Sequence, residues 1–262
     1  MAITGLDGYI GGIKQMLTWM KTGTRTLVAA TPFTVFDIAG NPGAGTLAIG
    51  NTANGLVPVD TTNGYPNIMN VSGVASYISR IEFSSSVPCR IFLFDRLFAA
   101  GAYSYNANIT LASQPSFSNR ILNSDYRGLQ FWVEAVTAFT GTPSIQLNYL
   151  DQDGNAGDTG VISLGAALIV GRCAQIPLGA GDSGIQRLNQ VRGTIATAGT
   201  FNVSILRPIW QGRVRTANDG DIHDLLKTGM QRISEDSALY VLLAADSTAV
   251  GLPMLTIQVV SG

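Results

Sequence analysis

The stretch GLQFWVEAVTAFTGTPSIQLNYLDQDG, Gly128 to Gly154, decides the fold through its alternation. Leu129, Phe131, Val133 and Ala135 fall on one side of an extended chain, and Gln130, Trp132 and Glu134 on the other. Beyond the turn residues Thr140, Gly141, Thr142 and Pro143, Ile145, Leu147 and Tyr149 alternate with Ser144, Gln146 and Asn148. A side-chain period of two, with apolar and polar sets separated, marks half-buried antiparallel strands, and the sequence predicts a β-hairpin here. Residues 239–260 follow the same plan: an apolar arm, a turn with Gly251 and Pro253, then Leu255, Ile257 and Val259 alternating with Thr256 and Gln258. Two further hairpins are predicted, Tyr77–Phe83 with Cys89–Phe94 across SSSVP, and Val191–Ile195 with Phe201–Ile209 around TAGT. In the Cys89 arm Ile91, Phe92, Leu93 and Phe94 are consecutive, so both faces of that strand should be buried, with Cys89 as a small buried thiol. Together the hairpins give about eight strands, the number of a jelly roll.

The 262 residues fit one such unit, since all-β domains run to roughly 250 residues. The expected class is therefore all-β, an antiparallel jelly-roll-like β-sandwich spanning 24–262, preceded by a helical arm at 1–23. The arm rests on residues 4–22, where Ile10, Ile13, Leu17 and Met20 recur at helical spacing behind a weak Thr4/Asp7 capping box, with Gly23 as the stop. Gly8, Gly11 and Gly12 weaken that helix by up to ~1 kcal/mol each, so it needs a surface to pack on. Ile10, Ile13, Leu17 and Met20 are the candidate partner interface, on an arm expected to leave the sandwich intact when it docks on another subunit. Thr24–Ala30 and Phe33–Ile38 read as strands broken by Pro32. Residues 39–70, with GNPGAG and DTTNGYPN, read as a long loop, an interaction arm or a covering flap. Tyr103–Ser124 reads as a polar connection bearing aromatics, Val161–Val170 as apolar but Gly- and Ala-rich, and a short helix is expected from near Asp221 to Gly229.

Charged residues make up 13% of the chain, about half the usual ~25%; Lys occurs only at 14, 21 and 227, and Glu only at 82, 134 and 235. A surface built from Ser, Thr, Asn, Gln and Gly loses little charge hydration when another protein covers it, and charge depletion marks interface cores. This favours an assembly component. A net charge of −1 supplies no field toward nucleic acid, and no apolar run approaches the ~20 residues of a membrane span. Lys14 and Lys21 follow apolar residues instead of preceding an apolar core, so the N-terminus lacks the order of a signal peptide and synthesis in a cytoplasm is expected.

Catalytic signals are incomplete. GDSG at 181–184 resembles a serine-protease turn, but the single histidine, His223, lies downstream of the serine. DQDGNAGD at 151–158 sets Asp151, Asp153 and Asn155 at calcium-loop spacing, yet Ala156 and Ile162 stand where an EF-hand needs Gly and Glu. The alternative is a tight turn whose Asp and Asn side chains bond their own backbone. GNPGAG at 40–45 lacks the Gly-Lys-Ser/Thr ending of a phosphate loop. Asp219, Asp221, His223 and Asp224 suit a capped helix start better than a metal site. Two cysteines, Cys89 and Cys173, match no zinc spacing. The expectation is no enzymatic activity, no catalytic residue, no metal and no cofactor.

Several segments carry a family resemblance: MAITGLDGYIGG (1–12), TPFTVFDIAGNPGAG (31–45), FDRLF (94–98), NYLDQDGNAGDTG (148–160), AGDSGIQRLNQV (180–191), GTFNVSILRPI (199–209) and the closing residues 239–260. They resemble tailed-bacteriophage virion proteins, in particular accessory head proteins that decorate the capsid. The resemblance implies a structural protein on the virion surface, with the major capsid protein and further copies of itself, as a trimer, for partners. It brings no catalytic residue. The alternative is a tail or receptor-binding module that holds carbohydrate, which Trp132, Tyr103 and Tyr105 clustered in one groove would favour.

Overall fold

The computed structural model describes residues 3–23, 25–71, 73–139, 141–164, 169–193, 198–248, 251 and 253–262. Helix α1 (Leu6–Gly11) leads into β1 (Ile13–Lys21), and three short strands follow, β2 (Pro32–Thr34), β3 (Gly40–Asn41) and β4 (Asn51–Leu56). Then come β5 (Ser76–Ser85), β6 (Cys89–Ser104) and β7 (Asn108–Thr110), and single 3-10 turns at Ser118–Arg120 and Leu122–Ser124. The middle of the chain holds β8 (Gln130–Ala135), β9 (Ser144–Asp151), β10 (Ala156–Asp158), β11 (Ile162–Ser163) and β12 (Cys173–Ile176). The remainder is β13 (Ile185–Gly193), β14 (Thr200–Val214), β15 (Asp219–His223), α2 (Leu225–Thr228), β16 (Gln231–Ile233), β17 (Leu239–Ala245) and β18 (Pro253–Ser261).

The strands form three antiparallel sheets. A seven-stranded sheet runs β12-β8-β14-β6-β17-β2 with β4 on β6; a six-stranded sheet runs β15-β5-β18-β1-β3 with β16 on β5; a five-stranded sheet runs β10-β9-β13-β7 with β11 on β9. The long strands β6 and β14 make the seven-stranded sheet a common layer. Over one half of its inner face, Phe131, Val133, Phe201 and Ile205 pack against Ile145, Leu147, Leu188 and Val191 of the five-stranded sheet. Over the other half, Ile91, Leu93, Val241 and Leu243 pack against Trp19, Ile81, Phe83 and Ile257 of the six-stranded sheet. On the opposite face, Phe94, Trp132, Leu206 and Tyr240 are covered by Phe36, Leu47 and Tyr65, so the predicted 39–70 loop is a flap over its own sheet, interrupted by β3 and β4.

The all-β antiparallel sandwich is as expected, but its connections are not. All four predicted hairpins supply strands, yet in none do the two arms pair. β5 and β6, β8 and β9, β13 and β14, and β17 and β18 each divide between two sheets. Period two fixes which side chains point inward and leaves the hydrogen-bonding partner open. Here the apolar sides of successive arms face each other across the core, as Phe131 and Tyr149 do in an edge-on ring contact with centroids 5.4 Å apart. Among the described residues, β9 and β10 are the consecutive strands that do bond to each other, across the Asp151–Asn155 turn. The polar side of β8 is also not solvated, since Trp132 and Glu134 lie under the flap. The Ile91–Phe94 run fits its reading, buried apart from half-buried Phe92, and Cys89 is buried.

The helix expected at 4–22 is corrected to α1 and β1. No side chain caps α1, whose N-cap is Gly5, so the Thr4/Asp7 box does not form. After Gly11 and Gly12 the residues 14–21 alternate: Leu17, Trp19 and Lys21 are buried while Met16 and Met20 are exposed. β18 pairs with β1 from Ile13 to Met20, and that ladder outweighs a helix already weakened by three glycines. The arm at 1–23 is thus split, and its larger part is a strand of the sandwich. Pro32 begins β2 instead of breaking a strand, β2 stops at Thr34, and residues 25–30 form no strand. β6 runs on to Ser104, so Tyr103 is in a strand. Residues 165–168 of the apolar segment at 161–170, residues 194–197 before the third pair's second arm, and Thr24 lie outside the described residues. The short helix is α2: Asp224 caps it by accepting from Leu226 and Lys227 N–H, and Gly229 ends it at φ 64°. Its start is later than expected because β15 occupies 219–223.

Candidate protein-docking surface

The outer face of the six-stranded sheet begins at α1. The helix is pinned there by the Tyr9 hydroxyl, which donates to Gln258 Oε1 at 2.9 Å. Lys14 Nζ donates to the carbonyls of Tyr9, Ile10 and Gly12 at 2.9–3.2 Å and satisfies its C-terminal end. At Gly12 a Cβ would meet Val260 Cγ2 at 2.7 Å, so the close approach of helix to sheet requires glycine. No α1 residue is buried; Leu6 and Ile10, one turn apart, are 65% and 64% exposed. At the far end of β1 from the helix, Met20 stands directly across from Met254 in the β1–β18 register, at 50% and 42% exposure. The next row along the sheet is Thr18, Thr256, Glu82 and Ile222, and the next holds Met16, Gln258 and Arg80. Arg80 and Glu82 pair with each other at 3.1 Å, so these rows carry no unpaired charge.

The structure divides the four sequence-predicted interface residues. Ile10 and Met20 lie on this surface. Leu17 is a core residue at 6% exposure, on the opposite side of β1. Ile13 shares the parity of Leu17 and is exposed only because it begins the strand. Met16 and Met254 were missed. The signal for Met16 was the even-numbered alternation of 14–20, obscured by Lys21, a buried lysine whose Nζ donates to Pro42 O at 2.7 Å and Gly43 O at 3.4 Å. Burial pulls that ammonium down to about 8, against the opposing charge of Asp37.

The charged groups inside the protein serve the sheets. On adjacent residues of β6, Asp95 and Arg96 point to opposite faces. On the inner face the Asp95 carboxylate accepts from Arg120, from Arg207 Nη2 at 3.0 Å and from the Ser237 hydroxyl at 2.9 Å. On the outer face Arg96 donates to Glu134 Oε2 at 3.3 Å and Ser204 Oγ at 3.0 Å, and Glu134 also accepts from Asn202 and the Tyr240 hydroxyl. Burial drives the Tyr240 hydroxyl well above its ordinary range, and the Glu134 charge adds to the rise. The local motifs are turns. Asp151 Oδ1 accepts from the N–H of Asp153 and Asn155, and Oδ2 from the Asn155 amide, which is the self-bonded turn. In GDSG, the Ser183 and Gly184 N–H groups donate to Gln152 Oε1, and Asp182 accepts from the Tyr149 hydroxyl. His223 sits in the six-stranded sheet, accepting from Trp210 Nε1 at 2.8 Å, whereas GDSG leads into the five-stranded sheet. Among the described residues no three His, Cys, Asp or Glu side chains converge as a metal set. Trp132 borders an open groove with Phe92 and Phe94, but Tyr103 and Tyr105 are buried in the core, so the shared groove that would have favoured the carbohydrate-binding alternative does not form. No helix among the described residues is long and apolar enough to cross a membrane.

No family model matches the sequence, and no curated protein does. Among solved structures, the chain aligns with that of infectious bursal disease virus Gx strain at 11% identity and a TM-score of 0.17, over 95% of this chain and 80% of that one. The VP2 subviral particle of infectious bursal disease virus aligns at 9% identity and a TM-score of 0.18, over 95% and 80% of the two chains. The Gt strain gives 10% identity and a TM-score of 0.19, over 95% and 81%. A likeness at this level carries no functional assignment.

Proposed function

We propose that this protein is a non-enzymatic structural component of a tailed-bacteriophage virion, which decorates the capsid and stabilises it by protein–protein contacts. The observation that carries the reading is the set of half-exposed methionines on the outer face of the six-stranded sheet, Met20 and Met254 opposite each other and Met16 two rows nearer to α1, whose Leu6 and Ile10 are exposed. Covering each methionine would recover roughly 1 kcal/mol of hydrophobic free energy, and the charges in the same rows, Arg80 and Glu82, are paired with each other. Methionine also adapts to irregular partner surfaces. The low charge content of the chain and its segment-by-segment resemblance to virion proteins support the same reading. In this scheme α1 and the outer face of the six-stranded sheet dock on the major capsid protein, and copies of the chain associate as trimers. The protein is made in the host cytoplasm and acts on the virion surface. It clamps neighbouring shell subunits, adding buried area of the order of 1,200–2,000 Å² per interface across seams that internal pressure would open. The reading involves no nucleic acid, no membrane and no cofactor.

The test is the double variant Met20→Glu/Met254→Glu, compared with wild type for self-association by sedimentation and for binding to capsids stripped of the protein. The expected result is at least about a tenfold loss of association with the melting temperature nearly unchanged, since both side chains face outward. Equal binding by the variant, or a wild type that neither self-associates at micromolar concentration nor binds shells, would overturn the proposal.

A further inference from the structure

An open groove of 480 Å³ lies on the outer face of the common seven-stranded sheet, away from the flap, where β12, β8, β14 and β6 run side by side and Gln231 of β16 also lines it. The register puts Phe92 opposite Gln211, Phe94 opposite Pro208 and Trp132 opposite Gln175. Phe92 is half-buried and Pro208 exposed, and they give the groove accessible apolar surface. The Phe92 ring is braced from behind: Phe94 stacks on it with centroids 6.3 Å apart, and Trp132 meets Phe94 edge-on at 5.6 Å. Gln130, Gln175, Gln211 and Gln231 surround these rings, and no lining side chain is ionisable. Gln175, Gln211 and Gln231 are exposed, and their amides make no hydrogen bond among the described residues. Gln130 is half-buried and spends its Oε1 on Trp132 Nε1 at 3.0 Å.

We infer that this groove binds a neutral oligosaccharide, with Phe92 and Pro208 against the C–H face of a sugar ring and the amides of Gln175, Gln211 and Gln231 on its hydroxyls. An amide both donates and accepts, as a hydroxyl does, so a set of unengaged amides suits a polyol. The lining has no charge to pair with a phosphate, a carboxylate or an ammonium group. A wholly apolar ligand would cover the amides without bonding them, which costs free energy. A proline-rich peptide also docks in aromatic grooves, but its carbonyls need donors. Here Trp132 Nε1 is spent on Gln130, and Trp210 Nε1 on His223 Nδ1 at 2.8 Å. Proline has no N–H, so such a peptide would leave the glutamine carbonyls unmatched. The volume falls within the ~300–1,000 Å³ of small-molecule sites. Tyr103 and Tyr105 take no part. The inner face of the common sheet packs on the six-stranded sheet, so the groove and the methionine face lie on opposite sides of the sandwich. A protein docked by its methionine face would present the groove outward.

The test is saturation-transfer NMR and calorimetric titration of the full chain with neutral trisaccharides: maltotriose, cellotriose, mannotriose and triacetylchitotriose. Sialyllactose and a decaproline peptide serve as comparisons. Saturable binding of at least one neutral trisaccharide, with a dissociation constant below ~10 mM, is expected. Gln175→Ala/Gln211→Ala, at two exposed residues, should melt as wild type does and bind that sugar about tenfold or more weakly. The Met20→Glu/Met254→Glu variant, altered on the opposite face, should bind it as wild type does, so failure of the docking surface and failure of the groove are read separately. Absence of binding by every one of these trisaccharides, equal binding by Gln175→Ala/Gln211→Ala, or a preference for sialyllactose or decaproline would refute the site.

Discussion

The outer faces of the five-stranded and six-stranded sheets are built to opposite rules. On the five-stranded sheet, the Asn148 amide donates to Asp158 Oδ1 at 2.7 Å and Gly157 O at 3.0 Å, and Asn148 Oδ1 accepts from Asn189 at 3.2 Å. Gln190 bonds Asn108, Arg192 Nε bonds Gln190, and Arg192 Nη1 reaches Asp158 at 3.2 Å. That face has closed its polar groups on one another and keeps water on the far side. The six-stranded face offers Met16, Met20, Met254 and Ile222 among threonines, Gln258 and the Arg80–Glu82 pair, and so leaves more apolar surface open. Both sheets contribute equally well-packed inner faces, so the contrast is unrelated to core stability. On the function proposed above, it separates a surface finished for solvent from one that another molecule would complete.

The contrast breaks most visibly when β1 is removed. Deleting residues 1–22 takes a strand from between β18 and β3 and strips Leu17 and Trp19 from the core. Loss of Trp19 alone costs about 3–5 kcal/mol, so the whole deletion should abolish cooperative unfolding of the six-stranded half. Deleting residues 1–12 should shift the melting temperature by only a few degrees while weakening association, because α1 buries no side chain of its own. Melting curves followed by circular dichroism check both; a 1–22 deletion that melts like wild type would remove the basis for treating β1 as part of the sandwich. A smaller effect is expected on the closed face. Asn148→Ala should cost about 1–2 kcal/mol in denaturant unfolding, from the loss of its bonds to Asp158 and Gly157, and leave association unchanged. Loss of association in that variant would show that the amide face docks as well. The smallest effect concerns the edge of the six-stranded sheet. Lys21 loses its proton near 8 when folded and near 10.5 when unfolded. Between those values the unfolded chain binds the extra proton, so this residue makes stability rise with pH. The rise amounts to a few degrees of melting temperature at most. It should be present in wild type relative to Lys21→Met from pH 8 to 9.5, and equal slopes for the two proteins would show that Lys21 is not perturbed by burial.

The sequence displayed faces far better than partners. Leu129, Phe131, Val133 and Ala135 are on one buried side of β8, as their spacing indicates, because alternation is a local property of an extended chain. Whether β8 bonds to β9 or faces it across the core depends on which other strands compete for its edges, and β14 and β12 take both. The same limit hid the candidate docking surface. Helical spacing of Ile10, Ile13, Leu17 and Met20 is real, but residues 14–21 fit period two equally well, and only the arrival of β18 chooses between them. Asp151 and Asn155 were legible as a turn since their partners are two to four residues away. Asp95, Arg120 and Arg207 were not, because they come from distant segments and meet only once the common sheet has formed.

The position of β18 between β5 and β1 has a consequence in time. Residues 13–21 emerge from the ribosome early, and the strand that must pair with them comes from 253–261. At elongation rates of roughly 5–20 residues per second, the early strand waits on the order of 12–50 s for its neighbour. During that wait Leu17, Trp19 and Met16 lack their neighbouring strand, since the nearby β3 pairs only with Met20 and Lys21. The nascent chain therefore passes through a period of adhesiveness on both sides of β1. Closure of the six-stranded sheet ends it on the inner side only and leaves the outer side for whatever the finished molecule meets.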